Sequence, residues 1–508
     1  MKHIVYQMLP RLWGNGRFSG VDDGSLAYLK GLGVDAVWYT GVIAHATTYS
    51  APGCPPPSNP QIVKGAAGSP YAIRDYYDVN AYLADCPARR MEEFESLVER
   101  THSHGMKVII DFVPNHVSRD YFSAAAPSGV RSLGQDDDKS VHWAPENDFF
   151  YYPGEPLALE VPGGDNPFQE YPAKASGNVF SPSPSVNDWY ETVRINYCDF
   201  CTSTWRKMLD IVLFWASMGV DGFRCDMVEM VPWEFMKWLV SGVKSKFPET
   251  LFIAEVYIKE KYRMYLKEVG FDLLYDKSGL YDTLRSVTCA GTSARAISYN
   301  WQMLGDLQGG MINFLENHDE QRIASDFFCG DPRKGYAALA VSLLLNDASF
   351  LLYFGEEVGE RGMDEEEFSG IDGRTSIFDW CKVGSVQRLC KWIQTGKGLL
   401  SEESSVLERY RSLLKMAKEP EFTTGKTYDL GYCLPSREDR VSAFLRSDGK
   451  AAKLVVANFS EASTISINIP SEAYGYLGVE GGLNTIRVEE VGSMDFAIID
   501  PFSGTRLL

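Results

Sequence analysis

The sequence has no apolar run of the roughly 20 residues that a membrane-spanning helix needs, so no membrane partner is expected. It has no basic excess: 49 Lys and Arg stand against 68 Asp and Glu, a formal net charge of -19. Nucleic-acid backbones and anionic lipid surfaces attract basic faces, so this balance argues against a nucleic-acid partner and fits a neutral substrate. There is no secretory leader pattern, because MKHIVYQMLPRLWG goes directly into a strand-like stretch without an apolar h-region or a small-residue cleavage site. There is no disulfide framework either. The ten cysteines are scattered, several in apparent core runs, which reads as reduced thiols and gives cytoplasmic as the expected compartment. The Cys198-x-x-Cys201 pair has no second pair and no redox-fold context, and is not read as a metal or redox site.

What is present is a globular composition, 45% hydrophobic and 23% charged over 508 residues, enough for more than one domain. Strand-like and helix-like stretches alternate. His3 to Met8 and Val34 to Tyr39 read as strands, with Leu26, Leu29 and Leu32 at helical spacing between them. Met91, Phe94, Leu97 and Val98 form a helix face before the strand KVIIDFV at Lys107. Trp205, Met208, Leu209, Val212 and Trp215 line another helix, which leads into the strand of Gly219-Val-Asp-Gly-Phe-Arg224-Cys-Asp226. Strands at Leu251, Asp272, Met311 and Ser349 complete a set of eight, and the predicted fold class is α/β, a (β/α)8 TIM barrel. Two stretches break the rhythm: Ala46 to Pro70, and an aromatic, Pro-, Gly- and Ser-rich excursion after strand three. The final part changes to short alternating segments such as VSAFLR and KLVVANF, an antiparallel β-sandwich. The expected division is a barrel over 1–117 and 189–420, an excursion domain over 118–188 and a sandwich over 421–508. The acidic run Asp364-Glu365-Glu366-Glu367 is read as a solvated loop.

Polar residues collect where the strands end. Strand three ends in Asp111-Phe-Val-Pro-Asn115-His116, strand four in Arg224-Cys-Asp226, strand five in Glu255 and strand seven in Glu316-Asn317-His318-Asp319. All these ends face the mouth where barrel enzymes build their sites. Residues two apart in a strand share a face, so Arg224 should sit beside Asp226 and hold it ionised, as a nucleophile requires. Glu255, after apolar Phe252-Ile253-Ala254, is the better candidate for a proton-donating acid. Two such carboxyl groups, with no cofactor motif, suit glycosidic-bond hydrolysis. Taken singly, each acid could be a cap or an ion-pair partner.

These stretches resemble glycoside hydrolase family 13, the α-amylase family. DFVPNH, GFRCDMVE, FIAEVY and FLENHD look like its four conserved regions, in order, and the likeness extends over essentially the whole chain. The resemblance implies Asp226 as nucleophile, Glu255 as general acid/base and Asp319 as the acid that holds the sugar ring and stabilises the transition state. It also implies substrate contacts from His116, His318, Arg224 and the stacking Tyr71 of SPYAIRDYY, with Asp75 supporting the site from behind. Two departures stand out. Where many α-amylases carry a Lys-His pair on the reducing-side sugar, this chain has Glu229 and Met230. Asn115 matches the family's calcium asparagine, the one candidate metal ligand, whereas the aspartate-bearing motif expected near the end of the excursion appears as Arg194-Ile195-Asn196-Tyr197. No organic cofactor is implied, and a structural calcium would rest on Asn115.

The leading expectation is retaining hydrolysis of α-1,4-glucosidic bonds in maltodextrins or starch-type glucans through a covalent glycosyl-aspartate, with an oligosaccharide as the partner. The alternative is a transglycosylase or sugar isomerase (trehalose-synthase-like) of the same family, since a sugar hydroxyl can replace water. A non-catalytic carbohydrate-binding protein is the third reading, and such a protein needs no complete acid set.

Overall fold

The structure, a computed structural model, describes residues 2–198, 202–366 and 368–508. Cys201 and Glu367, and with them one member each of the Cys198/Cys201 pair and the acidic run, lie outside the described residues. Eight parallel strands close a barrel: β1 (Ile4–Met8), β2 (Ala36–Tyr39), β3 (Lys107–Phe112), β4 (Gly222–Cys225), β5 (Leu251–Ala254), β6 (Leu273–Tyr275), β7 (Met311–Phe314) and β8 (Ser349–Tyr353). β8 pairs back on β1, Phe350 opposite Ile4. The strands are near-continuous apolar runs because both faces are covered, one by helices and one by the barrel interior.

The two faces can be told apart by parity. Val5, Ala36, Trp38, Ile109, Ile253, Leu273, Tyr275, Ile312, Phe314 and Leu351 pack together inside the barrel. Their strand neighbours Ile4, Tyr6, Val37, Val108, Ile110, Phe223, Phe252 and Leu274 join the layer beneath the helices. One step further along the inward parity, the interior turns from apolar to ionic. Ile109 is followed two residues on by Asp111, Ile253 by Glu255, and Gly222 by Arg224 and Asp226. The register sets Asp111 directly opposite Arg224 across β3 and β4. Gly222 holds the crowded floor under them, where a Cβ would lie 2.8 Å from the Leu251 carbonyl and 3.2 Å from Ile109 Cγ1.

Between the second and third barrel strands, Ile43–His45 pairs antiparallel with Ile73–Val79. The 46–70 stretch, expected as a loop, is thus the connection of a two-stranded ribbon. After β3, the excursion is held by two short ribbons, His116–Ser118 with Thr192–Arg194 and Tyr151–Tyr152 with Ala173–Lys174. Helices α1 (Asp23–Gly31), α2 (Arg90–Ser103), α3 (Ser203–Ser217), α4 (Trp233–Lys246), α5 (Asp282–Cys289) and α6 (Tyr336–Leu344) surround the barrel.

In the C-terminal part, β9 (Lys426–Asp429), β10 (Val441–Ser447), β11 (Ala452–Asn458) and β14 (Phe496–Ile499) form a four-stranded sheet, and β12 (Ser463–Asn468) pairs with β13 (Thr485–Val491). One face of the sheet, with Leu445, Leu454, Val456 and Ile499, packs on Ile465, Ile467, Ile486 and Val488 of the ribbon. The other, with Phe444, Val455, Ala457, Phe496 and Ile498, belongs to the barrel's own core. α6 lies on that side and is buried at every position, as a helix covered all round must be.

Behind the mouth, a buried ion pair ties the end of β7 to that of β8. Arg322 Nη1 donates to Glu316 Oε2 at 2.9 Å and to the Phe354 carbonyl at 2.9 Å, and its guanidinium stacks 3.9 Å from the Tyr353 ring. Burial raises the pKa of Glu316 and Arg322 opposes the rise. Arg322→Met would leave that carboxylate buried without its partner, and a loss of about 3–5 kcal/mol in unfolding free energy is expected by urea titration.

Candidate active site

Arg224 is fully buried at the centre of the mouth. Its Nη1 donates to Asp226 Oδ1 at 2.6 Å, its Nη2 stands 3.0 Å from Glu255 Oε2 as an ion pair without hydrogen-bond alignment, and Asp111 Oδ1 is 3.8 Å from Nη1. The rings of Trp38, Tyr71 and Tyr275 surround the guanidinium at 5.4, 5.3 and 5.5 Å. The cation therefore exchanges water for aromatic faces and carboxylates, the environment that suits arginine.

Glu255 has two further donors, the Tyr257 hydroxyl to Oε1 at 2.6 Å and the Met227 amide to Oε2 at 2.8 Å. Met227 is held at φ 44°, a left-handed conformation that a side chain with a Cβ seldom takes. The N–H of this strained residue, immediately after Asp226, is the one that reaches Glu255.

A second set of contacts fixes a histidine. Gln7 Nε2 donates to His318 Nδ1 at 2.8 Å, so the neutral ring carries its proton on Nε2. That nitrogen lies 2.5 Å from the Tyr71 hydroxyl and 3.1 Å from Asp319 Oδ2. The Tyr71 hydroxyl in turn donates to Asp111 Oδ1 at 3.4 Å, and Trp38 Nε1 donates to Asp111 Oδ2 at 3.0 Å. Burial, then the Arg224 charge, holds His318 well below the ordinary histidine range, and burial takes His116 down to about 3. Both rings are neutral at pH 7.

Burial lifts Asp226 well above the ordinary aspartate range; Arg224 pulls it back and the Glu255 carboxylate pushes it up again. The expectation that Arg224 would single out Asp226 as the low-pKa acid is thus corrected. One guanidinium serves several carboxylates, and desolvation outweighs the share that reaches Asp226. Asp319 is also pushed up, first by burial and next by Glu255, although its side chain is 41% exposed at the lip, so water limits the rise. Arg374 Nε donates to its carbonyl at 2.7 Å.

Of the residues singled out in the sequence, Tyr71, Arg224, Asp226, Glu255, His318 and Asp319 come together in this network. His116 lies beside it, its ring 5.1 Å from Trp189 of the excursion. Asp75 does not join: its carboxylate accepts from the Tyr77 amide at 2.9 Å and the Ala125 amide at 2.9 Å, at a separate cavity of about 330 Å3 that includes His45 and Asp78. Glu229 ties down the segment after β5, Oε2 accepting from the Tyr257 amide at 2.8 Å, with Lys261 3.7 Å from its other oxygen. Met230 presents its carbonyl to Arg194 Nη2 at 3.2 Å. Gln7, Trp38, Tyr257 and Tyr275 were not singled out. Parity carries the signal for each: Gln7 is two residues beyond inward Val5, Trp38 and Tyr275 are inward strand positions, and Tyr257 is two residues beyond Glu255.

Asn115 does not fit a calcium ligand here. Its Nδ2 donates to the Gly177 carbonyl at 2.9 Å, and Arg194 Nη1 donates to the same oxygen at 3.2 Å. The Arg194 guanidinium thus lies against the carbonyl that Asn115 holds, and among the described residues no cluster of three His, Cys, Asp or Glu could hold a metal. Calcium binds through several hard oxygens, carboxylates above all.

The fold and this ring of acids at the strand ends define the class, a (β/α)8 barrel of the glycoside-hydrolase type. The family model for the alpha amylase catalytic domain matches residues 11–397, and the chain belongs to that family. It is 25% identical over 377 residues to a cyclomaltodextrin glucanotransferase of Bacillus sp. (strain 38-2), covering 71% of this chain and 47% of that protein, so it spans under half the length of that relative. It is 22% identical over 561 residues to the oligo-1,6-glucosidase of Parageobacillus thermoglucosidasius, covering 91% of this chain and 90% of that one. Its fold is that of a maltogenic alpha-amylase, AmyB, from Thermotoga neapolitana, with a TM-score of 0.63 at 20% identity over 98% of this chain and 96% of the other. Among the described residues no helix is long and apolar enough to cross a membrane.

Asp276, at the end of β6, offers a test of the mouth's electrostatics apart from the acids above. It is 1% exposed, its Oδ2 has no hydrogen-bond partner, and burial raises it from 3.8 to about 6. Between those values the folded chain keeps a proton that the unfolded chain has lost, so this residue's contribution to stability falls as pH rises from about 4 to 6. Asp276→Asn should therefore gain on wild type by on the order of 2–3 kcal/mol between pH 4 and pH 8, read from paired urea titrations.

Proposed function

We propose that the protein hydrolyses α-1,4-glucosidic bonds in maltodextrins or related α-glucans with retention of configuration. The observation that carries this is Arg224 holding Asp226 and Glu255 on the two terminal nitrogens of one guanidinium. A single guanidinium spanning both limits their separation to a few ångströms, in keeping with the roughly 5–5.5 Å of retaining enzymes. The proposed division into barrel (1–117 and 189–420), excursion (118–188) and C-terminal sandwich (421–508) places these acids on the barrel.

In this reading Asp226 attacks the anomeric carbon while Glu255 protonates the departing oxygen, and Glu255 then takes a proton from the water that opens the glycosyl-aspartate. Burial raises Asp226 against the pull of Arg224. The same burial disfavours the full carboxylate charge and favours neutralisation as the covalent bond forms. Asp319, at the lip beside His318, would meet the sugar hydroxyls and the positive charge that develops on the ring. Neutral His318 and His116 add donors without adding a charge that would repel that cation. Tyr71, stacked at 5.3 Å on His318, offers an aromatic wall.

Asp226→Asn is expected to remove nearly all turnover of maltooligosaccharides, and retention of wild-type rates would refute the assignment. Tyr257→Phe deletes the donor to Glu255 Oε1 and should lower kcat by about 10-fold, the worth of one such hydrogen bond, with the fold intact by circular dichroism. Chromatography of the products from maltotriose separates hydrolysis from transfer: shorter sugars alone support this proposal, and longer or rearranged ones overturn it in favour of a transglycosylase or isomerase.

A further inference from the structure

Cys289 and Cys329 are forty residues apart in sequence, yet their sulfurs stand 3.9 Å apart, Cys289 at the last position of α5 and Cys329 in the segment that follows Asp319. We propose that they form a reversible dithiol–disulfide site that reads the oxidation state of low-molecular-weight thiols and fastens the Asp319-bearing segment to α5. Bond formation requires the sulfurs to close from 3.9 Å to about 2.05 Å. Cys289 is exposed to an incoming reagent, and Cys329 is half-buried behind it, its amide donating to the Ile323 carbonyl at 3.0 Å.

The surroundings divide the roles. Cys289 donates to the Phe328 carbonyl at 3.4 Å. Its neighbour's thiol, and next the charges of Arg285 and Lys334, draw Cys289 down to about 7 against the effect of burial, while Cys329 is pushed up. Burial moves Cys225, Cys381 and Cys390 upward too. Cys289 is thus the attacking thiolate and Cys329 the resolving thiol.

With a disulfide such as oxidised glutathione as the oxidant, the electrons balance in two exchanges. The Cys289 thiolate attacks one sulfur, the small disulfide breaks, and one glutathione leaves as thiolate. Cys329 then loses its proton and attacks Cys289 Sγ, and the second glutathione leaves. Two protein thiols have been oxidised and one small disulfide reduced to two thiols.

The location gives the bond its effect. The segment is already held by polar contacts from α5 and the turn before it: the Tyr281 hydroxyl donates to Glu320 Oε2 at 2.8 Å, Lys277 Nζ is 3.2 Å from Glu320 Oε1, and Arg285 donates to the Phe327 carbonyl at 3.2 Å and to Gln321. A covalent bond on the same side closes a forty-residue loop that contains Asp319.

The full chain incubated with oxidised glutathione, alkylated and digested, should yield a Cys289–Cys329 cross-linked peptide lighter by two hydrogens than the reduced pair. Dithiothreitol should abolish it. Cys329→Ser should keep one glutathione on Cys289, and Cys289→Ser should leave Cys329 free to alkylate. The oxidised wild type should melt about 3 °C higher than the reduced form, with no such difference in either variant. A wild-type mixed disulfide that persists on Cys289 without cross-linking, or alkylation of both cysteines at the reduced protein's rate after oxidant, would overturn the proposal.

Discussion

A buried guanidinium is the constraint on which the rest of this molecule depends. Arg224 has no solvent, so it requires carboxylates and aromatic faces, and these arrive from five different barrel strands or their ends: Trp38, Asp111, Asp226, Glu255 and Tyr275. Removing Arg224 would leave Asp111, Asp226 and Glu255 without their shared counter-charge in a low-dielectric interior, a cost far above that of a surface ion pair. The acids are in turn crowded around a single positive charge, so their titration is a property of the group. The same crowding that makes the site expensive to fold makes it able to hold a proton.

The barrel was legible because its strands carry a period-two signal against two apolar surroundings, and because the inward parity changes from Ile109, Ile253 and Gly222 to Asp111, Glu255 and Arg224 at one end. That change is visible in a single sequence. What could not be read was how charge is shared. A local rule places Arg224 beside Asp226, which is correct, but the rule has no view of Glu255 on a different strand, nor of how much water is left. The ribbon of Ile43–His45 and Ile73–Val79 was hidden because IRDYYDV is polar and its partner lies some thirty residues upstream. Cys289 and Cys329 were hidden for the same reason, proximity arising from the fold and not from spacing.

The excursion also depends on an arginine contact, this one half-buried. Near Asn115, a guanidinium supplied by the chain itself reaches the Gly177 carbonyl, while Arg194 also holds the Met230 carbonyl and lies 5.1 Å over Phe180. Arg194 therefore links the excursion to the segment after β4. A positive charge built into the sequence is always present, whatever the surrounding ion concentration.

The C-terminal sheet, whose outer face completes the barrel's core, has a consequence for the order in which the chain can fold as it is synthesised. β1 has no partner on one side until Phe350 and its neighbours exist, and the apolar face over α6 has no complete cover until Phe496 and Ile498 emerge. β1 must wait for β8, and the cover of α6 for β14. A growing chain of this design therefore carries first an unclosed sheet edge, until β8 is made, and then an uncovered apolar helix, until β14 follows, the surfaces that a nascent-chain chaperone recognises.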